Sequence, residues 1–221
     1  MTALSNRHHA AGWLIALAIV CGLALSQLFG RTAPPTAQHV ELEWLERPRP
    51  VAAFTLVSTQ GEITNAALRG HWQLLALGFT HCPDLCPTTL AQLAALQATM
   101  TDDPVRVIFV SVDPERDSPA RLAAYAQFFG TEFIGITGEL EQLQRLAHSL
   151  GMDFRHDRAG DGPGDNLDDK LDDNPDDAPR ISHSPTIAVI GPDGLLRGRL
   201  RPGFDTQQAA RELTARMQSP S

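Results

Sequence analysis

The chain has 221 residues, 43% of them hydrophobic, and a formal charge of −8, which suits one domain with appendages better than two domains. Eight aspartates and one lysine between Asp161 and Asp177 account for −7 of that charge, so the remainder is nearly neutral. No basic patch interleaves with aromatics, which argues against a nucleic-acid partner.

From Ala10 to Gly30 there is no charged residue, and Arg7 and Arg31 flank the run. About 20 apolar residues cross a bilayer, whereas a cleavable signal has a core of about 7–15. Residues 1–31 are therefore expected to form an uncleaved membrane anchor with its amino terminus in the cytoplasm, an orientation Arg7 and the terminal amine favour. A signal peptide cut after Ser26 is the competing reading, since Ala24 and Ser26 are small. Val20 is too bulky for a lipoprotein signal at Cys21. Both main readings place the rest of the chain outside the cytoplasm, at the periplasmic face of the inner membrane. Residues 32–50 are proline-rich without clear periodicity and read as a tether.

A folded domain is expected over residues 51–218. Phe54–Val57 and Gln60–Ile63 read as a short hairpin, and the apolar run from Leu74 to Phe79 reads as a buried strand. Thr88 to about Met100 is patterned as a helix. The β-branched run Val105–Val112 follows as a central strand. Ser118 is a good N-cap and Pro119 a good first residue for a helix to Phe129. A strand over 132–136 and a helix over 140–150 come next. Residues 157–180 carry the aspartates and cannot bury a core, so they read as a solvated insertion. A calcium loop is the sharper alternative there, although the spacing lacks the terminal bidentate Glu of an EF-hand. Ile187–Ile190, the turn Gly191-Pro192-Asp193-Gly194 and Leu195–Leu200 form an antiparallel pair, and a final helix runs from about Thr206 to Met217. This order fits an α/β fold with a central mixed sheet flanked by helices, the thioredoxin-like arrangement.

The chemistry concentrates at Cys82-Pro83-Asp84-Leu85-Cys86-Pro87, at the junction between the apolar strand and the helix. Helix starts carry unpaired N–H groups and favour negative charge, and thiolate is the form that attacks disulfides and binds soft metals. Outside the anchor these are the only two cysteines. A structural staple gains its value by closing a long loop, and a bridge across three residues closes almost nothing. The site is therefore sulfur-based, redox or metal. Two thiolates leave a metal short of ligands, and His183, just ahead of a strand, is the best third candidate, with His81 as a local rival. His71, His148 and His156 lack patterned partners and read as surface residues. Asp84 reads as an exposed turn residue, and Ser184-Pro185-Thr186 resembles the cis-proline position of thioredoxin-like folds.

Three motifs in order resemble the Sco/SenC proteins, membrane-tethered thioredoxin-like copper proteins of cytochrome oxidase assembly. They are Gly78-Phe79-Thr80-His81-Cys82-Pro83-Asp84-Leu85-Cys86-Pro87, then Phe109-Val110-Ser111-Val112-Asp113-Pro114-Glu115-Arg116-Asp117-Ser118-Pro119, then His183 ahead of Ile190-Gly191-Pro192-Asp193-Gly194. The resemblance implies copper ligation by Cys82, Cys86 and His183. It also implies delivery to the binuclear copper site of cytochrome c oxidase subunit II, with a separate copper donor protein upstream. The chain departs from the family pattern in its Asp-rich insertion and in Pro185. The ligand set itself suits copper, since thiolates favour Cu(I) and an imidazole allows Cu(II). Zinc would accept the same donors with a fourth ligand or water. The alternative is a thiol–disulfide oxidoreductase or redox sensor using Cys82 and Cys86 alone, with Cys82 as nucleophile.

Overall fold

The computed structural model describes residues 42–100, 105–157 and 180–219. The expected anchor, the first part of the tether and most of the Asp-rich insertion, with its calcium reading, lie outside the described residues. Among the described residues, no helix is long and apolar enough to cross a membrane.

The described residues form ten strands, four α-helices and a short 3-10 helix over Asn65–Leu68. The strands are β1 (Leu42–Pro50), β2 (Thr55–Ser58), β3 (Gly61–Thr64), β4 (Gln73–Gly78), β5 (Arg106–Ser111), β6 (Ile134–Ile136), β7 (Phe154–Asp157), β8 (Arg180–His183), β9 (Ile187–Ile190) and β10 (Leu195–Leu200). The helices are α1 (Leu85–Thr99), α2 (Pro119–Phe129), α3 (Leu140–Leu150) and α4 (Thr206–Met217). Six strands make one sheet in the order β1-β10-β9-β4-β5-β6. Strands β4, β5 and β6 run parallel, and β9, β10 and β1 add antiparallel neighbours on the other side.

Strand β4 is buried along its whole length, as a central strand covered on both faces must be. Its side chains alternate. Leu74 and Ala76 join a core with Leu90, Leu93 and Leu96 of α1 and Leu213 of α4. Leu75 and Leu77 face the opposite core, with Leu143, Leu146 and Leu150 of α3 and with Phe54 and Leu56. The period-two pattern thus divides one sheet between two helical layers, and it sets the end of β4 firmly in the molecule's centre.

The helix boundaries follow from local chemistry. Ser118 caps α2, its hydroxyl accepting the Arg121 N–H at 3.3 Å, and Pro119 begins the helix as its preset φ allows. Helix α3 stops at Gly151, whose φ of 71° is left-handed, the backbone state a C-terminal glycine supplies without steric penalty.

Two expectations are corrected here. Leu42–Pro50, read as tether, is strand β1 at the sheet edge. Leu42 is buried, and Trp44 meets Trp72 edge-on at 6.1 Å. Prolines at 48 and 50 obscure the alternation but are tolerated at an edge, where one side of the strand needs no partner. The pairing with β10 also shifts register between Trp44 and Arg49. The second correction concerns Pro185: among the described residues there is no cis peptide bond, in line with the ordinary trans preference of X–Pro.

The residues that border the expected insertion also hold structure. Strands β7 and β8 pair as a separate antiparallel hairpin, with Phe154 opposite His183 and His156 opposite Ile181.

Candidate metal centre

Strand β4 ends at Gly78, and the chain turns through Phe79–Pro83 into α1. The Cys82 N–H donates to the Phe79 carbonyl at 3.2 Å, which closes this turn. Asp84 occupies the N-cap position, yet its side chain makes no capping bond and is exposed. The Cys86 N–H instead donates to Cys82 Sγ at 3.4 Å. A sulfur therefore takes one of the amides that a helix start leaves unpaired.

The two thiols differ. Cys82 is half-buried and Cys86 is 2% exposed. Gly78 makes room for the buried sulfur, because a Cβ there would lie 2.8 Å from Cys86 Sγ and would also strike the Phe109 ring. Burial pushes the Cys86 thiol well above the usual thiol range, and the neighbouring Cys82 side chain adds to it. Such a sulfur keeps its proton in the metal-free protein and surrenders it to a coordinating cation.

His183 comes from the far side of the sequence, at the end of β8. Its Nδ1 lies 3.0 Å from the Ser184 carbonyl. A carbonyl only accepts, so Nδ1 carries the proton and Nε2 presents its lone pair. That Nε2 stands 3.6 Å from Cys86 Sγ. Burial holds the ring's pKa below the ordinary histidine value, which keeps it neutral. Phe79 meets the imidazole edge-on at 6.0 Å, and the Arg116 guanidinium lies 6.0 Å over the Phe79 ring.

The structure thus brings Cys82, Cys86 and His183 together, with one donor atom of each within 4.8 Å of the others. A metal bound at about 2.0–2.3 Å to three coplanar donors spaces them roughly 3.5–4 Å apart, so slight contraction makes a trigonal site. The donor set fits a soft ion, and no fourth side chain is needed to reach that geometry.

His81 is engaged elsewhere. Its Nε2 lies 3.2 Å from Arg121 Nη1, and its Nδ1 lies 3.3 Å from the Thr80 hydroxyl. Since a guanidinium only donates, Nε2 is the acceptor and its lone pair is occupied. His81, Asp113 and Asp117 also have ligand atoms within 4.8 Å of one another, but hydrogen-bond donors already occupy the carboxylates. Asp117 is fully buried and accepts from the Thr80 N–H at 2.9 Å, the Thr80 hydroxyl at 2.5 Å and the Ser111 hydroxyl at 2.6 Å. Arg116 Nε pairs with Asp113. This network ties the segment after β5 to the turn that carries Cys82, and it makes a scaffold rather than a cation site.

Sequence reasoning quoted Ser111, Asp113 and Asp117 only as parts of a motif and did not give them roles. A buried carboxylate in a polar turn has no periodicity to reveal it. Tyr125 on α2 was missed as well. Its hydroxyl is buried without a hydrogen-bond partner among the described residues, and its pKa is pushed up to about 12 by burial first, then by Cys86, Cys82 and Asp117. His156, read as a surface residue, is half-buried and bonded to the Val112 carbonyl.

Known proteins resemble this chain over most of its length. Residues 45–218 match the family model described as SCO1/SenC. A protein of Stutzerimonas stutzeri named for copper binding is 35% identical over 192 residues, covering 85% of each chain. The human mitochondrial protein SCO2 homolog is 34% identical over 174 residues, which span 75% of this chain and 60% of the human one. Among solved structures, Arabidopsis thaliana ScoI with copper bound superposes with a TM-score of 0.63 at 26% identity, covering 75% of this chain and 96% of that one. Apo Sco1 from Thermus thermophilus gives a TM-score of 0.60 at 32% identity, with 79% and 93% covered. The chain belongs to the SCO1/SenC family.

Proposed function

We propose that this protein is a copper carrier that holds Cu(I) or Cu(II) on Cys82, Cys86 and His183 and assists assembly of cytochrome c oxidase. The observation that carries this reading is the convergence of two sulfurs and one neutral imidazole nitrogen within 4.8 Å. Thiolates are soft donors that favour Cu(I), and the imidazole extends the site to Cu(II). Relatives named for copper binding or solved with copper support the choice of ion.

Three donors without a strong fourth leave one side open. Cys82 and His183, both half-buried, are the ligands an incoming partner sulfur can approach, while Cys86 stays enclosed. Copper then passes by ligand exchange, first from a donor protein and later to the binuclear copper site of oxidase subunit II. An amino-terminal anchor over residues 1–31 would hold the domain at the periplasmic face of the inner membrane.

A second reading rests on the asymmetry of the thiols. Cys82 is the accessible sulfur and receives a backbone N–H, whereas Cys86 is buried behind it. Cys82 as thiolate would attack a partner disulfide and release one partner thiolate. Cys86 would then displace the second, leaving a Cys82–Cys86 disulfide and a reduced partner dithiol. Two electrons pass to the partner, and a dithiol donor must restore this protein.

Anaerobic Cu(I) titration of the reduced protein distinguishes them. The carrier reading expects one copper per chain and, for His183→Ala, a loss in affinity of more than about tenfold, the least that losing even an outer partner costs. Unchanged affinity and spectrum in that variant would remove His183 from the site, and disulfide turnover that survives it would favour the reductase.

A further inference from the structure

We infer that His156 is a positioning residue that fixes His183 at ligand distance from the two sulfurs; this rests on the carrier reading above. The β7–β8 hairpin stands outside the six-stranded sheet. It closes on itself at its base, where the Ser184 N–H donates to the Asp153 carbonyl at 2.8 Å and the Asp153 N–H to the Ser184 hydroxyl at 2.9 Å. At its other end, 22 residues separate Asp157 from Arg180, a span whose closure costs more entropy than a tight turn.

Phe154, His156, Ile181 and His183 are half-buried, while Arg155, Arg180 and Ser182 are exposed. The register places the four half-buried residues on one strand face, the side turned to the body of the protein. Phe154 and Ile181 contribute apolar packing there. Apolar contact alone is non-directional and permits sliding. Among the described residues, the hydrogen bonds from hairpin to body are two. One is the 3.6 Å approach of His183 Nε2 to Cys86 Sγ, and the other is His156 Nε2 to the Val112 carbonyl at 2.6 Å.

The second tie leads back to the sulfurs. The Val112 N–H donates to the Gly78 carbonyl at 2.9 Å, and Gly78 is the residue against which Cys86 Sγ and Phe109 pack. A run of hydrogen bonds therefore passes from the sulfur half through Gly78, Val112 and His156 to the strand that ends in His183. Because the Val112 carbonyl only accepts, His156 holds its proton on Nε2. Its role needs a donor at that position and no change of charge. Glutamine can supply such a donor at similar reach, phenylalanine keeps the ring without it, and asparagine is too short.

The test uses the full reduced protein with copper as the probe, in five forms: wild type, His156→Phe, His156→Gln, His183→Ala, and His156→Phe combined with His183→Ala. Cu(I) affinity is read by competition with a chelator, and imidazole nitrogen coupling to Cu(II) by electron paramagnetic resonance. His156→Phe is expected to weaken copper about tenfold, the scale of losing a partner that orients a ligand, and to diminish the nitrogen coupling. His156→Gln restores both. With His183 already alanine, His156→Phe costs nothing further, since its effect runs through that imidazole. Wild-type behaviour of His156→Phe, failure of His156→Gln to restore, or an undiminished loss in the His183→Ala background would each overturn the inference. Should circular dichroism show His156→Phe unfolded, His156→Asn must show the same tenfold loss, and wild-type affinity in it overturns the inference. Absence of copper binding by the wild type would instead overturn the carrier reading itself.

Discussion

The two halves of the metal centre are built to different standards of rigidity. Both sulfurs follow the end of β4, Cys82 in the turn and Cys86 in the first turn of α1, and that strand is hydrogen-bonded on both sides and packed on both faces. The imidazole arrives on a four-residue strand in a two-stranded hairpin outside that sheet, and an isolated hairpin is only marginally stable by itself. The comparison teaches that sulfur positions are inherited from the core, whereas the imidazole position depends on a few local ties. A carrier profits from the difference, because one ligand can yield to a partner without disturbing the fold.

Breaking the rigid half has the largest expected consequence. Cys86→Ser removes a buried sulfur donor, and Cu(I) affinity should fall by more than about a hundredfold, beyond the cost of losing an outer partner. Chelator competition reads this directly, and retention of affinity within tenfold would mean that the buried thiol is not a ligand. Gly78→Ala is a subtler strike at the same half. Its new methyl would collide with Phe109 and Cys86 Sγ, and overpacking of this kind costs about 1–3 kcal/mol. Thermal melts of the metal-free protein should show that loss, and an unchanged melting temperature would show that the pocket behind the sulfur is looser than described.

The smallest effect sharpens the contrast through pH. Burial lowers the pKa of His183 and raises that of Cys86. Below about 6.5 the unfolded chain takes up a proton that folded His183 resists, so stability falls as pH drops. Above about 8.5 the unfolded thiol ionises while folded Cys86 does not, so stability falls as pH rises. Denaturation midpoints of the reduced, metal-free protein should peak between these limits. His183→Ala should flatten the acid limb only, and an acid limb identical in that variant would assign it to other groups.

Much of the rigid half was legible in the sequence. The run Leu74–Phe79 followed by an amphipathic pattern marks β4 and α1, and the cysteines fall at their junction because strand and helix periods change there. Helix α3 matched its expected bounds of 140–150. The hairpin half was not legible, and the causes are physical. Strands β7 and β8 are four residues each and border an aspartate-rich run, so composition hides their alternation. Strand β1 of the main sheet was hidden as well, because it carries two prolines that only an edge position permits. His156 gave no signal because its partner is a backbone carbonyl 44 residues away, which no local pattern encodes. His183 was reached from the sequence through family resemblance, and spacing by itself left His81 as a rival until Arg121 and Thr80 were found to occupy that ring.

The central claim is that one ion is shared by two sulfurs and one imidazole drawn from these unequal halves. X-ray absorption spectroscopy of the Cu(I)-loaded protein tests it most directly, with His183→Ala as the comparison. The account predicts two sulfur scatterers and one imidazole nitrogen in the wild type, with the nitrogen alone lost in the variant. A sulfur-only shell in both proteins, or a shell without sulfur, would contradict it.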